Sequence, residues 1–386
     1  MKKLRFLFIT SSFALRSGAN MLRYRSLASY LVKHGHEVDV IGMYELQEQL
    51  EKGISYFQLK RKLSAKFFIY FFLLFFQNLY LLSTMSFVRY IDRIGLAALT
   101  LVEANRFIKK KNYDTCLVSV APWAYYLIIK HLSKKLRVFI DICDPLYKNA
   151  LFPKGAYKAN LKMEYEALES ANVIATVNEP TIKIMTDEMG IAKEKIYFIT
   201  PSMNVGDNWK RERIDCQFHK PLRLIYSGSL YAGYRDLSEV QPAIELCSDV
   251  SLDIYSNSKY QPKKSACIHA HDVVPHDDLL KLYQQYDILL FVDNFYGYQV
   301  PSKIFELLVQ NKPILFIYDK RNTYFYDMLK GQEGITFVEN NQAKIFDAIK
   351  MLIKKGGQTI NYTVDLSDYS EQAVNKKLLK CIMSNN

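Results

Sequence analysis

The residues able to do chemistry in this chain cluster where short apolar runs end. The richest stretch is Gly297-Tyr298-Gln299-Val300-Pro301-Ser302-Lys303-Ile304-Phe305-Glu306. Pro301 suits a first helical turn, whose free N–H groups can hold a diphosphate. Lys303 adds a positive charge, and Glu306, about one turn further on, is spaced to accept from both hydroxyls of a ribose. The same two residues also read as an ordinary solvated i,i+3 pair. In Tyr226-Ser227-Gly228-Ser229-Leu230 the small residues admit close backbone approach, and Arg235, just beyond Gly233, offers a fork for phosphate oxygens.

Earlier in the chain, Asp141-Ile142-Cys143-Asp144-Pro145 closes another apolar run. A carboxylate at Asp144 can act as a general base or orient an acceptor hydroxyl; it can equally cap a following helix. Asp141, inside the run, reads as structural. Gly18, in Ser17-Gly18-Ala19-Asn20, opens a helix whose N-terminus can meet a phosphate or sugar hydroxyl, or forms an ordinary turn. His276 reads as part of a helix start, and His34 and His36 as structural. Neither G-x-G-x-x-G nor G-x-x-x-x-G-K-[ST] occurs. The seven histidines and six cysteines show no metal-ligand spacing and no C-x-x-C pair. No metal, no cofactor and no disulfide framework is expected, and a reducing compartment follows.

The elements that must position these residues alternate in α/β fashion. Leu4–Thr10, a helix through Leu31 and then Glu37–Ile41 form a βαβ unit, which puts the first loop at the carboxyl edge of a parallel sheet. Further strands are predicted at Thr115–Ser119, Val138–Ile142, Val173–Val177 and Ile196–Thr200. The series restarts at Leu222–Tyr226 and continues near Leu252–Tyr255, Ile268–His271, Ile288–Val292, Pro313–Ile317 and Ile335–Val338. Pro201–Lys220, polar and without apolar period, reads as a linker. With 386 residues, 49% hydrophobic and 23% charged, disorder and low-complexity classes are excluded. Two doubly wound domains are expected: 1–203, and 204–365 followed by a helical segment 366–386 that returns to the first.

The charge is lopsided. Residues 1–203 carry 29 basic and 17 acidic side chains, while 204–386 carry 22 of each, so the whole net +12 lies in the first half. That half also contains Phe67–Val88, 22 residues without formal charge, between Lys60-Arg61-Lys62 with Lys66 and Arg89 with Arg93. Aromatic side chains with flanking cations suit the boundary of an anionic membrane; a helix buried between domains or in a dimer contact is the bland alternative. The length alone would allow a span, but Gln77, Asn78, Ser83 and Thr84 interrupt it. Segment 60–93 is therefore expected to associate peripherally with the inner face of the cytoplasmic membrane. Only five apolar residues precede Thr10, too few for a signal peptide, and no nucleic-acid motif accompanies the basic charge.

Taken in order, these residues resemble a GT-B glycosyltransferase of the family four type, which builds bacterial surface polysaccharides. The resemblance runs through Ser17-Gly18-Ala19, Gly35-His36-Glu37-Val38, Val120-Ala121-Pro122-Trp123 and Asp141–Pro145, the last similar to D-x-R-D-P-W. It continues through Glu164–Val177, Tyr226–Arg235, Pro275-His276 with Asp287, and Pro301–Glu306 with Asn311-Lys312-Pro313-Ile314. It implies two Rossmann-like domains facing a central cleft. By that resemblance Glu306 matches the second glutamate of an E-x7-E element and binds the nucleotide ribose, while Tyr298 stands where the first glutamate would contact the donor sugar. Ser229 stands where an arginine would hold the diphosphate, and Arg235 and Lys303 are its substitutes, with Gly18, Pro301 and Ser302 completing the donor set. The Ser302-Lys303 element also resembles exopolysaccharide glucuronosyltransferases, in which the residue matching Asp144 is the base. Those enzymes invert the anomeric centre and family four retains it. The expected activity is metal-independent transfer from a nucleoside diphosphate sugar, most simply UDP-linked, to a lipid-linked or saccharide acceptor in capsule, exopolysaccharide or O-antigen assembly. A non-catalytic scaffold of the same fold is the alternative.

Overall fold

The computed structural model describes residues 3–15, 18–60, 63–150, 152–203, 213–256 and 265–384. Ser17, Arg61, Lys62 and residues 204–212 of the expected linker lie outside them. The chain divides into two compact units, Met1–Ser202 with Asp368–Asn386, and Met203–Ser367.

The first unit is built on seven parallel strands: β1 Arg5–Ile9, β2 Glu37–Gly42, β3 Ile54–Gln58, β4 Thr115–Ser119, β5 Arg137–Ile142, β6 Val173–Thr176 and β7 Ile196–Phe198. They are ordered β3-β2-β1-β4-β5-β6-β7. Between them run helices α1 Ala19–Lys33, α2 Ala65–Gln77, α3 Phe87–Lys110, α4 Tyr126–Leu132, α5 Tyr157–Ser170 and α6 Glu179–Lys183. Strands β4, β5 and β6 are covered on both faces, so they read as mostly apolar runs, interrupted in β5 by Asp141. One core lies on the side of α3, α4 and α5, with Tyr90, Leu101, Tyr125 and Leu168 fully buried. The other, around Phe6, Phe8, Leu27 and Leu31, lies on the side of α1.

The sequence reading omits β3. Its five residues occupy the sheet edge and are half-buried or exposed, so they carry no apolar run. The segment Phe67–Val88 is broken into α2, a 3-10 turn at Leu79–Ser83 and the start of α3. Ser64 caps α2 by accepting from the Phe67 N–H at 3.2 Å, and Asn78 closes it by donating from Nδ2 to the Leu74 carbonyl at 2.8 Å. The 13 residues of α2 extend about 20 Å, short of the roughly 30 Å of bilayer hydrocarbon. Among the described residues no helix is long and apolar enough to cross a membrane.

The second unit opens with β8 Ile214–Gln217, inside the stretch read as a linker. Its alternating half-exposed residues pair antiparallel with β15 Gly357–Ile360, which is why no continuous apolar signal marks it. The main sheet comprises β9 Leu222–Ser227, β10 Val250–Tyr255, β11 Ile268–His271, β12 Ile288–Val292, β13 Ile314–Tyr318 and β14 Ile335–Glu339, all parallel, in the order β11-β10-β9-β12-β13-β14. Its helices are α7 Val240–Glu245, α8 His276–Tyr283, α9 Lys303–Leu308, α10 Tyr324–Leu329 and α11 Gln342–Lys355. After this unit α12, Glu371–Met383, rejoins the first: Val374, Leu378 and Ile382 enter the core around Phe6 and Phe8, and Glu371 accepts from Ser26 Oγ at 2.9 Å.

Candidate functional site

In each parallel sheet the strand order reverses once, between β1 and β4 in the first unit and between β9 and β12 in the second. Loops leaving the carboxyl ends of such a pair diverge to opposite faces and leave a crevice where ligands bind. In the second unit those loops are 228–239 and 293–302, and they hold Ser229, Arg235, Tyr298, Pro301 and Ser302, with Lys303 and Glu306 opening α9.

Glu306 is the hub of this crevice. Its Oε1 accepts from Lys303 Nζ at 2.9 Å and from the Tyr283 hydroxyl at 3.2 Å, and its Oε2 lies 3.5 Å from His276 Nε2. Tyr283 in turn shares a 2.5 Å hydrogen bond with Ser227 at the end of β9. Burial alone would push the Glu306 carboxyl up. The hydrogen bonds and charges of His276 and Lys303 outweigh it and hold the group down at about 2. Reciprocally, the bond to Glu306 raises the His276 imidazole against the opposing effect of burial. The i,i+3 pair therefore exists but is not a solvated one: it is part of a four-residue network holding an anionic carboxylate at the crevice. A carboxylate has about four lone-pair sites; Lys303, Tyr283 and His276 take three, so one remains for a hydroxyl donor and a second hydroxyl would take the place of one of these partners.

Arg235 sits in a tight turn with Tyr231, to which it is paired through an isolated backbone bridge. Its Nε donates to the Ser229 carbonyl at 3.1 Å and its guanidinium lies over the Tyr231 ring, 5.5 Å from the centroid. Ser229 thus contributes its backbone to placing the cation. Pro301 does not enter the helix: α9 begins at Lys303, with Ser302 in the cap position. The loop before it is tied by Asn294 Nδ2 to the Gln299 carbonyl at 2.9 Å and by the Tyr234 hydroxyl to Gln299 Oε1 at 2.8 Å, which delays the helical turn. With six residues α9 is short, so the positive charge at this end of the loop is chiefly that of Lys303. Tyr298 is exposed.

In the first unit Asp144 is exposed in the loop after β5, beside the reversal point. The next helical turn begins only at Lys154, so Asp144 caps no adjacent helix. Its loop is fixed from below by Glu164, fully buried on α5, which accepts from the Leu146 N–H at 3.1 Å, the Tyr147 N–H at 2.6 Å and the Tyr126 hydroxyl at 2.8 Å. Asp141 makes a bidentate pair with Arg23 of α1, at 2.7 and 3.1 Å. Gly18 occupies the cap position of α1 at φ 121°, a backbone setting that favours glycine.

The sequence matches no protein-family model and no curated protein. Solved structures do match. A glycosyltransferase from Rickettsia africae superposes over all of both chains with a TM-score of 0.63 at 15% identity. Anabaena Alr3699/HepE in complex with UDP-glucose superposes with a TM-score of 0.66 at 12% identity, over 99% of this chain and 100% of that one. The fold is GT-B. A UDP-GlcNAc 2-epimerase from Methanocaldococcus jannaschii also superposes, with a TM-score of 0.56 at 10% identity over 98% and 99% of the two chains. The GT-B fold by itself therefore does not select the reaction, and the side chains must.

Three residues of the GT-B crevice escape sequence reasoning or are underrated by it. His276 and Tyr283 belong to α8 and meet Glu306 of α9 only in space, with β12 between the two helices in the chain. The third, Asp293, follows β12 immediately. It is fully buried, its Oδ1 accepts from the Asn294 N–H at 2.7 Å, and its Oδ2 has no partner among the described residues. Burial pushes this carboxyl up to about 7, against smaller opposing effects from the Asn294 N–H and the Arg235 charge. A group whose folded-state value is raised stabilises below its unfolded value of about 4, and that contribution is lost as pH rises through about 7. The melting temperature should fall between pH 5 and pH 8, and the fall should flatten in Asp293→Asn; identical pH profiles for the two proteins would contradict this ionisation.

Proposed function

We propose that this chain transfers a glycosyl group from a nucleoside diphosphate sugar, with UDP as the nucleotide, to a lipid-linked or saccharide acceptor in the assembly of a bacterial surface polysaccharide. The observation that carries the reading is the Glu306 network: a carboxylate kept ionised by His276 and Lys303 at the reversal point of a parallel sheet, and joined through Tyr283 to Ser227, where the loop that carries Arg235 begins. Such a carboxylate binds vicinal hydroxyls, and the nearby cations suit a diphosphate. Glu306 takes the ribose, Arg235 and Lys303 take the diphosphate, and Tyr298 flanks the sugar.

In the reaction the bond between the anomeric carbon and the diphosphate oxygen breaks, and its electron pair leaves on the diphosphate. Arg235 and Lys303 stabilise that developing charge without a metal. The acceptor oxygen bonds to the anomeric carbon. In the retaining course, which we favour from the family resemblance, its proton passes to the leaving phosphate while Asp144 orients the acceptor; in an inverting course Asp144 takes the proton. Peripheral attachment to the inner membrane face is part of the same proposal, supported by the exposed aromatic side chains of α2 and the net +12 of residues 1–203.

Thermal melting in EDTA with UDP, GDP, ADP and CMP tests the donor site. At about 100 times its dissociation constant a ligand adds roughly 2.7 kcal/mol to the native state, a shift of several degrees for a unit of this size. UDP alone should produce it. No shift with any nucleotide would favour a GT-B scaffold that binds no donor.

A further inference from the structure

Helix α2 has one apolar face too many. Phe67 and Leu74 are buried against the first unit, yet Phe68, Ile69, Phe72 and Phe76 on the same helix are 46 to 66% exposed. Phe87 and Val88, at the start of α3, add to this apolar surface at 60 and 68%. Beside its C-terminal end a cavity of about 240 Å³ opens between the 3-10 turn, α4 and α5.

The cavity wall is cationic. Lys130, His131 and Lys134 line it from the end of α4 and the turn after it, with Tyr80 from the 3-10 turn and Glu166 from α5. Lys162 stands 4.2 Å from the centroid of the Tyr80 ring and 4.0 Å from Glu166, so the one carboxylate is already matched by a lysine outside the lining set. One atom of the lining, the buried Tyr80 hydroxyl, lacks a partner among the described residues; so does the buried Arg93 Nη1, outside the lining, whose charge acts on Tyr80. Burial lowers the Arg93 guanidinium, and burial with Lys134, Lys135 and Lys130 lowers the His131 imidazole. An unmatched donor and crowded cations in one cavity lack one thing, an anion rich in acceptor oxygens.

Its place in the fold narrows the source. Helix α4 runs back from the carboxyl edge of the sheet to the start of β5, so its last turn lies at the edge opposite Asp144. This is not the acceptor position. We propose that the cavity takes the phosphate of an anionic membrane phospholipid while the exposed phenylalanines of α2 rest in the interface beside it. The inference deepens the membrane attachment proposed above and does not depend on the donor site.

Flotation of the full chain with phosphatidylcholine vesicles, with and without phosphatidate, is the test. Wild type should float with phosphatidate vesicles and far less with phosphatidylcholine alone. Lys130→Ala/Lys134→Ala should weaken binding about tenfold or more, given the contribution of each lysine near an anionic surface. Tyr80→Phe, which removes one hydroxyl, should weaken it measurably. Lys109→Ala/Lys110→Ala, an exposed pair at the end of α3 in the same basic unit, is the control and should lose much less. Equal losses in the two lysine pairs would reduce the effect to diffuse charge and overturn the site. Phe72→Ser/Phe76→Ser tests the membrane reading separately: flotation like wild type would sink the interfacial role of α2 and leave the phosphate cavity standing. Inorganic phosphate binding that depends on Lys130 and Lys134 without any vesicle preference would assign the cavity to free phosphate and overturn the lipid.

Discussion

Glu306→Gln should abolish the UDP-dependent rise in melting temperature and lower the rate of glycosyl transfer by two to three orders of magnitude. A hydrogen bond to a charged acceptor is worth about 1.5–3 kcal/mol, and the proposed ribose contact uses two. The substitution has a second effect in the free protein. Glutamine keeps the shape but removes the charge that raises His276 and pairs with Lys303. Glu306, held at about 2, contributes stability above its ordinary carboxylate range and loses it as pH falls from that range through about 2. His276, raised, contributes below its ordinary value and loses it as pH climbs past the raised one. In Glu306→Gln the His276 titration followed by NMR should move down, whether or not a donor is present. A variant that loses transfer but leaves His276 titrating as before would mean that the network is wrong. One that shifts His276 but still responds to UDP would place the donor elsewhere.

The largest effect on stability is expected at Arg23 and Asp141. Both side chains are almost wholly inaccessible, at 4 and 0% exposure. Arg23 joins three segments: its pair with Asp141 links α1 to β5, and its Nη1 donates to the Thr200 carbonyl at 3.1 Å just beyond β7. Burial on its own would lower the guanidinium, and Asp141 more than reverses this. Removing one partner leaves the other charge buried and uncompensated, which costs about 3–5 kcal/mol. For a unit of some two hundred residues that is roughly 10 °C. Arg23→Met and Asp141→Leu should each lower the melting of the first unit by that order, and the double variant should recover much of the loss. Calorimetry in which each single variant moves the transition by under about 2 °C would show that the pair is not the clamp its geometry suggests.

The legible parts of the fold are those where burial is two-sided. Strands such as Thr115–Ser119 and Ile288–Val292 lie between helices on both faces, so they appear in the sequence as continuous apolar runs with the observed boundaries. Strand β3, at an edge, and the β8–β15 ribbon bury too little to leave that mark. In the crevice Glu306 and Lys303 are legible because they share one helix turn. His276 and Tyr283 are not, because an entire strand separates α8 from α9 in the chain. Asp293 was readable in principle as a carboxylate directly after a buried strand. Its raised ionisation comes from tertiary burial, which no local pattern reports.

The position of α12 sets an order of events during synthesis. The core around Phe6, Phe8, Leu27 and Leu31 is completed by Val374, Leu378 and Ile382, residues translated after the whole of the second unit. At about 5–20 residues per second the ribosome needs some ten to forty seconds to pass from the end of β7 to α12. Throughout that interval one face of the nascent first unit remains without its cover, and the second unit gains the last strand of its own sheet, β14, before α12 is made. The first-made unit is therefore the last to receive its full core, and a holdase that shields the uncovered face has its window there.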